Sequence, residues 1–134
     1  MAQSVQPARF SPTRALRSAG WLGAVGLALS GAKLFAGVGI PCPWRTLTGT
    51  LCPFCGSTRL GVSLLQGDLA AAWVANPFVL VLLGGLGLAV VAWSVEALGG
   101  PALRPPAGLR SAALWSTVFV VTALGFALVR NLWQ

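Results

Sequence analysis

All three cysteines of the chain, Cys42, Cys52 and Cys55, lie between residues 42 and 55, where their spacing could support metal binding or thiol chemistry. Cys52-Pro-Phe-Cys55-Gly has the spacing of a zinc knuckle, in which a tight turn points two thiolates and several backbone amides at one ion. Gly56 would supply the positive φ of that turn. Cys42 could be a third ligand for zinc. Because the chain has no histidine, Asp68, a water molecule or a second subunit would supply the fourth.

The same three residues also allow two readings without a metal. As catalytic candidates, Cys42, Cys52 and Cys55 could pass a disulfide from one pair to another, although a relay between two separate pairs needs four cysteines. As structural residues, Cys42 could form a disulfide with Cys52 or Cys55, or the segment could simply form a compact turn. The residues favour this structural, non-enzymatic interpretation and leave the other two open.

Three polar residues follow the cysteines and form a candidate polar constellation: Arg59, Asp68 and Asn76. Asp68 precedes a short apolar stretch and Asn76 precedes Pro77, which are the positions of helix N-caps. Residues 57–66 place Arg59 on one helical face with Ser63 and Gln66, as expected of an amphipathic helix at a membrane surface. Ser57 or Thr58 could cap the start of this helix. Helix punctuation therefore explains two of the three residues without invoking a function.

The composition identifies an integral membrane protein. Hydrophobic residues make up 56% of the chain and charged residues only 8%, against roughly a quarter charged in a soluble domain. Apolar runs at about residues 20–40, 77–98 and 111–129 are long enough to cross a bilayer as helices. A fourth span over 57–75 is the alternative, which Arg59 and Asp68 make less favourable. The sequence predicts an all-α fold with three transmembrane helices, and a cysteine-rich turn and interfacial amphipathic helix between the first two.

The basic residues predict orientation rather than nucleic-acid binding. Nine Lys and Arg oppose two Asp and Glu, but the excess is spread along the chain instead of forming one soluble face. Residues 1–19 are predicted to be a disordered basic cytoplasmic tail, and residues 20–134 a single membrane domain. Arg104 and Arg110 favour a cytoplasmic loop between the last two spans, which would place the motif segment, residues 41–76, outside the cytoplasm. Lys33 could snorkel to the membrane interface or pair with Asp68.

The motif segment resembles a family of small bacterial membrane proteins known as domain-of-unknown-function family 2752. The family pattern is a Cys-Pro pair, Leu-Thr-Gly, Cys-Pro-x-Cys-Gly-x-Thr-Arg, Gly-Asp, an alanine-rich turn and Asn-Pro. Phe54 departs from it, standing where family members often carry glycine. The matching residues in this chain are Cys42-Pro43, Leu47-Thr48-Gly49, Cys52-Pro53-Phe54-Cys55-Gly56-Ser57-Thr58-Arg59, Gly67-Asp68, Ala70 to Ala72 and Asn76-Pro77.

The resemblance implies an integral membrane protein of the bacterial inner membrane that carries this motif between spans, and it implies no particular activity. Because the pattern includes Arg59 and Asp68 as well as the cysteines, the guanidinium could bridge the acid or the carbonyls of the cysteine turn. We expect a small accessory or interaction subunit, in contact with the lipid bilayer and with a membrane-protein partner or a second copy of itself. The alternative function is a thiol-disulfide or metal site on the outer face of the membrane.

Overall fold

The computed structural model of the protein describes residues 10–102 and 111–133, and within these ranges it is all helical with no strand. This confirms the predicted fold class. Residues 1–9, 103–110 and 134, which include the predicted loop arginines Arg104 and Arg110, lie outside the described residues. The helices are α1 (Pro12–Ala36), α2 (Pro43–Thr48), α3 (Ser57–Leu65), α4 (Leu69–Ala75), α5 (Pro77–Ala97) and α6 (Ala112–Leu132).

Three of these helices, α1, α5 and α6, are long and apolar enough to cross a membrane. The predicted number of spans is therefore confirmed. Helices α3 and α4, of 9 and 7 residues, occupy the stretch considered for a fourth span, and each is too short to cross. Most of the large apolar side chains on the long helices are exposed, as expected where lipid surrounds them.

Helix α1 begins earlier than predicted. The expected disordered tail extended to residue 19, whereas the helix already starts at Pro12, with Ser11 before it. The physical reason is that proline at the first helical position fixes a helical φ and loses no needed N–H, and that Arg14 and Arg17 are good helix formers. The helix ends at Ala36, where Gly37 adopts a left-handed conformation with a φ of 67°.

The short helix α2 interrupts the segment that the sequence predicted to be only a cysteine-rich turn. Pro43 occupies its first position, and Gly49 ends it with a φ of 73°. Proline at the start and glycine just past the end are the ordinary signals of a helix, so the sequence did contain this element.

The buried core lies at one end of the molecule rather than between the long helices. Leu60, Ala72 and Val79 are its most buried apolar residues, and they bring together α3, α4 and the start of α5. Helix α1 packs on α3 where Gly61 faces the buried Ser30, because a Cβ at Gly61 would overlap the serine side chain. The core therefore anchors the segment between the first two spans to the helices on either side.

Candidate functional site

The three cysteines converge on one point. The Sγ atoms of Cys42 and Cys52 are 3.3 Å apart, those of Cys52 and Cys55 are 3.2 Å apart, and all three lie within 4.8 Å of one another. All three cysteines are free, so the predicted disulfide from Cys42 is not formed. Cys55 is buried, and Cys42 and Cys52 are partly buried. We call these three residues the thiol cluster.

The surroundings of the thiol cluster separate the acidities of its members. The backbone amide of Arg45, in the first turn of α2, and the neighbouring thiols of Cys52 and Cys55 lower the pKa of Cys42 from 9.0 to about 7. Burial, together with the neighbouring sulfurs, raises the pKa of Cys52 from 9.0 to about 11. The arrangement therefore favours a negative charge at Cys42 that neighbouring donors stabilise.

Backbone geometry brings Cys52 and Cys55 together. The Cys55 N–H donates to the Cys52 carbonyl at 3.0 Å, and the Cys52 N–H donates to the Cys55 Sγ at 3.3 Å. Gly56 follows with a φ of 93°, which confirms the predicted role of this glycine. A Cβ at Gly56 would lie 2.8 Å from the Ala75 carbonyl oxygen, so the turn also needs glycine for close approach.

The turn leads directly into α3, although the predicted caps are not used. Ser57 and Thr58 were expected to cap the helix, but Gly56 is the N-cap residue and makes no side-chain cap bond. The Ser57 hydroxyl instead donates to the carbonyl of Phe54 inside the turn. Ser57 and Thr58 are common N-cap residues near the predicted start of α3, but the tight turn makes Ser57 the first residue of the helix.

Asn76 hydrogen-bonds to the cysteine turn and is completely buried, with an exposed fraction of 0%. Its amide Nδ2 donates to the carbonyls of Pro53 at 2.8 Å and Cys55 at 3.1 Å. Its Oδ1 accepts from the Val79 N–H at 3.0 Å, which caps α5 as predicted. Asn76 thus has a second task that capping alone did not reveal, because it joins the thiol cluster to the start of a membrane-length helix.

Two residues at the C-terminal end of α6 hydrogen-bond to the backbone of the cysteine turn and its neighbours. Arg130 donates to the carbonyls of Cys55 at 2.8 Å and Ala75 at 3.1 Å, and its guanidinium lies 5.7 Å from the centre of the Phe126 ring. Asn131 pairs with both backbone groups of Leu51, accepting from its N–H and donating to its carbonyl at 2.8 Å each. These bonds fix the backbone on both sides of Cys52 and Cys55.

The predicted polar constellation is only partly assembled. Asp68 caps α4 by accepting from the Ala71 N–H at 2.8 Å, as predicted, and no ion pair joins it to Arg59 or Lys33 in the part of the chain that the structure describes. Arg59 is exposed on α3. Arg59 and Asp68 line the same cavity as the cysteines, but of the three residues only Asn76 hydrogen-bonds to the cysteine turn.

The thiol cluster fits a metal ion in its donors and nearly in its distances. Zinc binds thiolates at about 2.3 Å in a tetrahedron, which places neighbouring sulfurs roughly 3.8 Å apart. The two shorter distances of 3.2 and 3.3 Å would need to widen slightly. Among the described residues the group contains no fourth His, Cys, Asp or Glu, and Asp68 does not lie with the three sulfurs.

Residues 42–90, which contain the thiol cluster, match a family described as protein of unknown function (DUF2752). This match confirms the resemblance, and we call residues 42–90 the DUF2752 segment. No curated protein and no solved structure was found to be similar to the chain.

The DUF2752 segment does not contain every residue that builds the site. Arg130 and Asn131 lie beyond residue 90 and were not predicted to contribute. A basic residue at the end of an apolar run is typical of a membrane interface, so the sequence offered no sign that this one reaches the cysteine turn.

Proposed function

We propose that this membrane protein binds a metal ion through the three thiols of the cluster, with zinc as the first candidate. The supporting observation is that the Sγ atoms of three free cysteines lie within 4.8 Å of one another. Thiolates are the preferred ligands of zinc and copper(I), and three carboxylate or amide ligands would not favour these ions in the same way. Arg130, Asn131 and Asn76 position the turn and keep the sulfurs close together.

The ligand set leaves one position of a tetrahedron for a group from outside the cluster. Structural zinc sites use four protein ligands, whereas sites that act on a bound molecule use three and keep a fourth position for water or substrate. All three cysteines line the same open cavity, from which a water molecule or a partner's side chain could reach the metal. The residues therefore favour a centre that is completed by another molecule.

Metal content tests this proposal. We expect the full chain, purified in mild detergent with trace zinc present, to contain about one zinc ion per chain by elemental mass spectrometry. Cys52→Ser should lose the metal, because it removes the central sulfur of the cluster. Ser63→Ala, which changes a hydroxyl on another wall of the same cavity, is the matched control and should retain it. Metal-free wild type with an unchanged melting temperature would contradict the proposal.

Thiol-disulfide exchange is a second candidate, favoured by the central position of Cys52. Its sulfur lies 3.3 Å from that of Cys42 and 3.2 Å from that of Cys55, so a disulfide on either side needs little movement. An external disulfide would accept the two electrons when Cys52 and Cys55 form a bond. The Cys42 thiolate could then attack the Cys52 sulfur, and Cys55 would leave as a thiolate. Trapping thiols in cells should show such a change with oxidant supply, and three permanently free thiols would contradict it.

The predicted role as a small accessory or interaction subunit stays a prediction, and so does the location in a bacterial inner membrane. The open metal position gives the subunit hypothesis a concrete form, because a partner could donate the fourth ligand. A membrane protein, or a second copy of the chain, should then co-purify in mild detergent and be lost from Cys52→Ser. Failure to recover any partner with zinc-loaded wild type would count against this role.

A further inference from the structure

A large open cavity adjoins the thiol cluster at the end of the molecule where α1 and α6 finish. Its volume is about 1250 Å³, larger than the roughly 300 to 1,000 Å³ of ordinary small-molecule sites. The C-terminal part of α1, the cysteine turn, α3 and α4 contribute to its wall. The metal proposed above would occupy only a small part of this space.

Basic side chains dominate the charge of the wall. Lys33, Arg45 and Arg59 line the cavity, and within the described ranges their charged side-chain groups make no hydrogen bond or ion pair. Lys33 reaches the wall because Gly39 has no side chain, since a Cβ there would lie 2.9 Å from both the lysine Cδ and its Nζ. Three cations from three different segments therefore share one cavity without protein partners.

The remaining charged groups do not neutralise these cations. Asp68, one of only two acidic residues in the chain, also lines the cavity and caps α4, and its single negative charge offsets only one of these cations. Arg130 lines it too and adds a positive charge, although its guanidinium is occupied by the carbonyls of Cys55 and Ala75. A concave wall with this excess concentrates a positive potential and attracts anions.

The same wall also carries apolar side chains. Leu29, Ile40, Phe54 and Val74 line the cavity beside the cations. The cavity lies at the end of the membrane-length helices, where the hydrocarbon layer gives way to lipid head groups. A ligand with a negative head and an apolar body would satisfy both parts of this surface at once.

We propose that this cavity binds a phosphate-bearing anion, with the phosphate at Lys33, Arg45 and Arg59 and any apolar body against Leu29 and Ile40. Arginine and lysine are the usual protein partners of phosphate, and arginine can form two parallel hydrogen bonds to it. The phosphate could belong to a membrane lipid or be free in solution. Binding requires no metal, and it uses three cations of the wall rather than the three thiols, which line another part of the same cavity.

The test compares the two sources of phosphate on the full chain in uncharged detergent. In one arm, native mass spectrometry counts lipids retained from an equal mixture of phosphatidylglycerol and phosphatidylcholine. In the other, the melting temperature is followed with inorganic phosphate against chloride at equal ionic strength. The variants are Lys33→Gln, Arg45→Gln and Arg59→Gln, with Arg59→Lys retaining the charge. Arg17→Gln, near the start of α1, is the matched control outside the cavity.

If the phosphate belongs to a lipid, wild type should retain more phosphatidylglycerol than phosphatidylcholine. If it is free in solution, wild type should show no lipid preference, and inorganic phosphate should raise its melting temperature. Each of the three neutralising variants should weaken the interaction about five-fold, whereas Arg59→Lys and Arg17→Gln should behave like wild type. Equal retention of both lipids, together with no change of melting temperature in phosphate, would overturn the proposal. So would a weakening of binding in Arg17→Gln as large as that in the three neutralising variants. Zinc measured on the same samples separates the two sites, because the cation variants should keep their metal.

Discussion

Asn76 joins the cysteine turn to the membrane-length helix α5 through one buried amide. The side chain satisfies two carbonyls of the turn and one N–H of the helix, and its exposed fraction is 0%. Asp68 makes the same kind of cap bond to Ala71, but it is exposed, and among the described residues its side chain hydrogen-bonds only within its own helix. The two residues look alike in the sequence as N-caps, but only the Asn76 side chain links its helix to another segment.

Substitution of the two caps should show this difference. Asn76→Ala removes the side-chain partner of the Pro53 carbonyl and of the Val79 N–H, and one of the two donors to the Cys55 carbonyl. We therefore expect a loss of about 3 kcal/mol in the free energy of unfolding. Asp68→Ala removes one exposed cap bond and should cost about 1 kcal/mol. Denaturation in detergent measures both. Equal losses would show that Asn76 acts only as a cap.

The metal-free thiols should react in a defined order. Because Cys42 has a pKa of about 7 and Cys52 one of about 11, Cys42 changes from thiol to thiolate as the pH rises through 7, while Cys52 stays a thiol. Thiolate is the reactive form, so iodoacetamide at pH 8 should modify Cys42 before Cys52, as peptide mass mapping can show. In Cys52→Ala, which lacks a neighbouring donor, the Cys42 midpoint should move upward. A wild-type midpoint near 9 would contradict this description of the cluster.

At the scale of the helices, hydropathy and local signals predicted most of what the structure contains. Helices α4 and α5 begin where Asp68 and Pro77 indicated, because a cap bond or a proline ring acts within a few residues of its own position. The same local logic would have found α2 from Pro43 and Gly49. Helices whose ends are set by nearby cap, proline or glycine residues can therefore be predicted from the sequence.

The contacts that assemble the site could not be read in this way. Arg130 is 75 residues from Cys55, and Asn131 is 80 residues from Leu51. Nothing in a hydrophobic helix indicates which distant carbonyls its last turn will meet. The bridge suggested from Arg59 to Asp68 or to the carbonyls of the cysteine turn is not formed among the described residues, where Asp68 caps its own helix and Arg130 donates to the Cys55 carbonyl. The sequence therefore predicted contacts only between residues of the same segment.

Packing of α1 on α3 should depend on the absence of a side chain at Gly61. A Cβ there would overlap the buried Ser30 side chain, whereas Gly84 in α5 has no atom within 4 Å of an added Cβ. We expect Gly61→Ala to lower the free energy of unfolding by about 2 kcal/mol through overpacking. Gly84→Ala should be neutral or slightly stabilising, since alanine favours a helix. Thermal melting of both variants measures the contrast, which similar melting temperatures would contradict.

For the whole molecule, three membrane-length helices place the thiol cluster and the basic cavity at one end. Helices α1 and α6 finish there and α5 begins there, as the contacts of Arg130 and Asn76 with Cys55 require. The DUF2752 segment supplies the cysteines, while Lys33 and Arg130 come from outside it. Site and membrane anchor are thus parts of one small structure.

The basic residues near the other end predict the orientation in the membrane. With Arg14 and Arg17 in the cytoplasm, the thiol cluster should face the opposite side. A membrane-impermeant maleimide added to intact cells after metal removal should therefore label Cys42 without permeabilisation. A single cysteine introduced at Ser18 is the control and should react only after permeabilisation. The reverse pattern would invert the proposed orientation.

X-ray absorption at the zinc edge tests most directly whether the three thiols of one chain hold a metal ion. On the zinc-loaded full chain, we predict three sulfur neighbours at about 2.3 Å and one lighter atom at about 2.0 Å. Cys52→Ser should lose this sulfur shell. A wild-type spectrum with only nitrogen and oxygen neighbours, or protein that takes up no zinc while remaining folded, would contradict the claim.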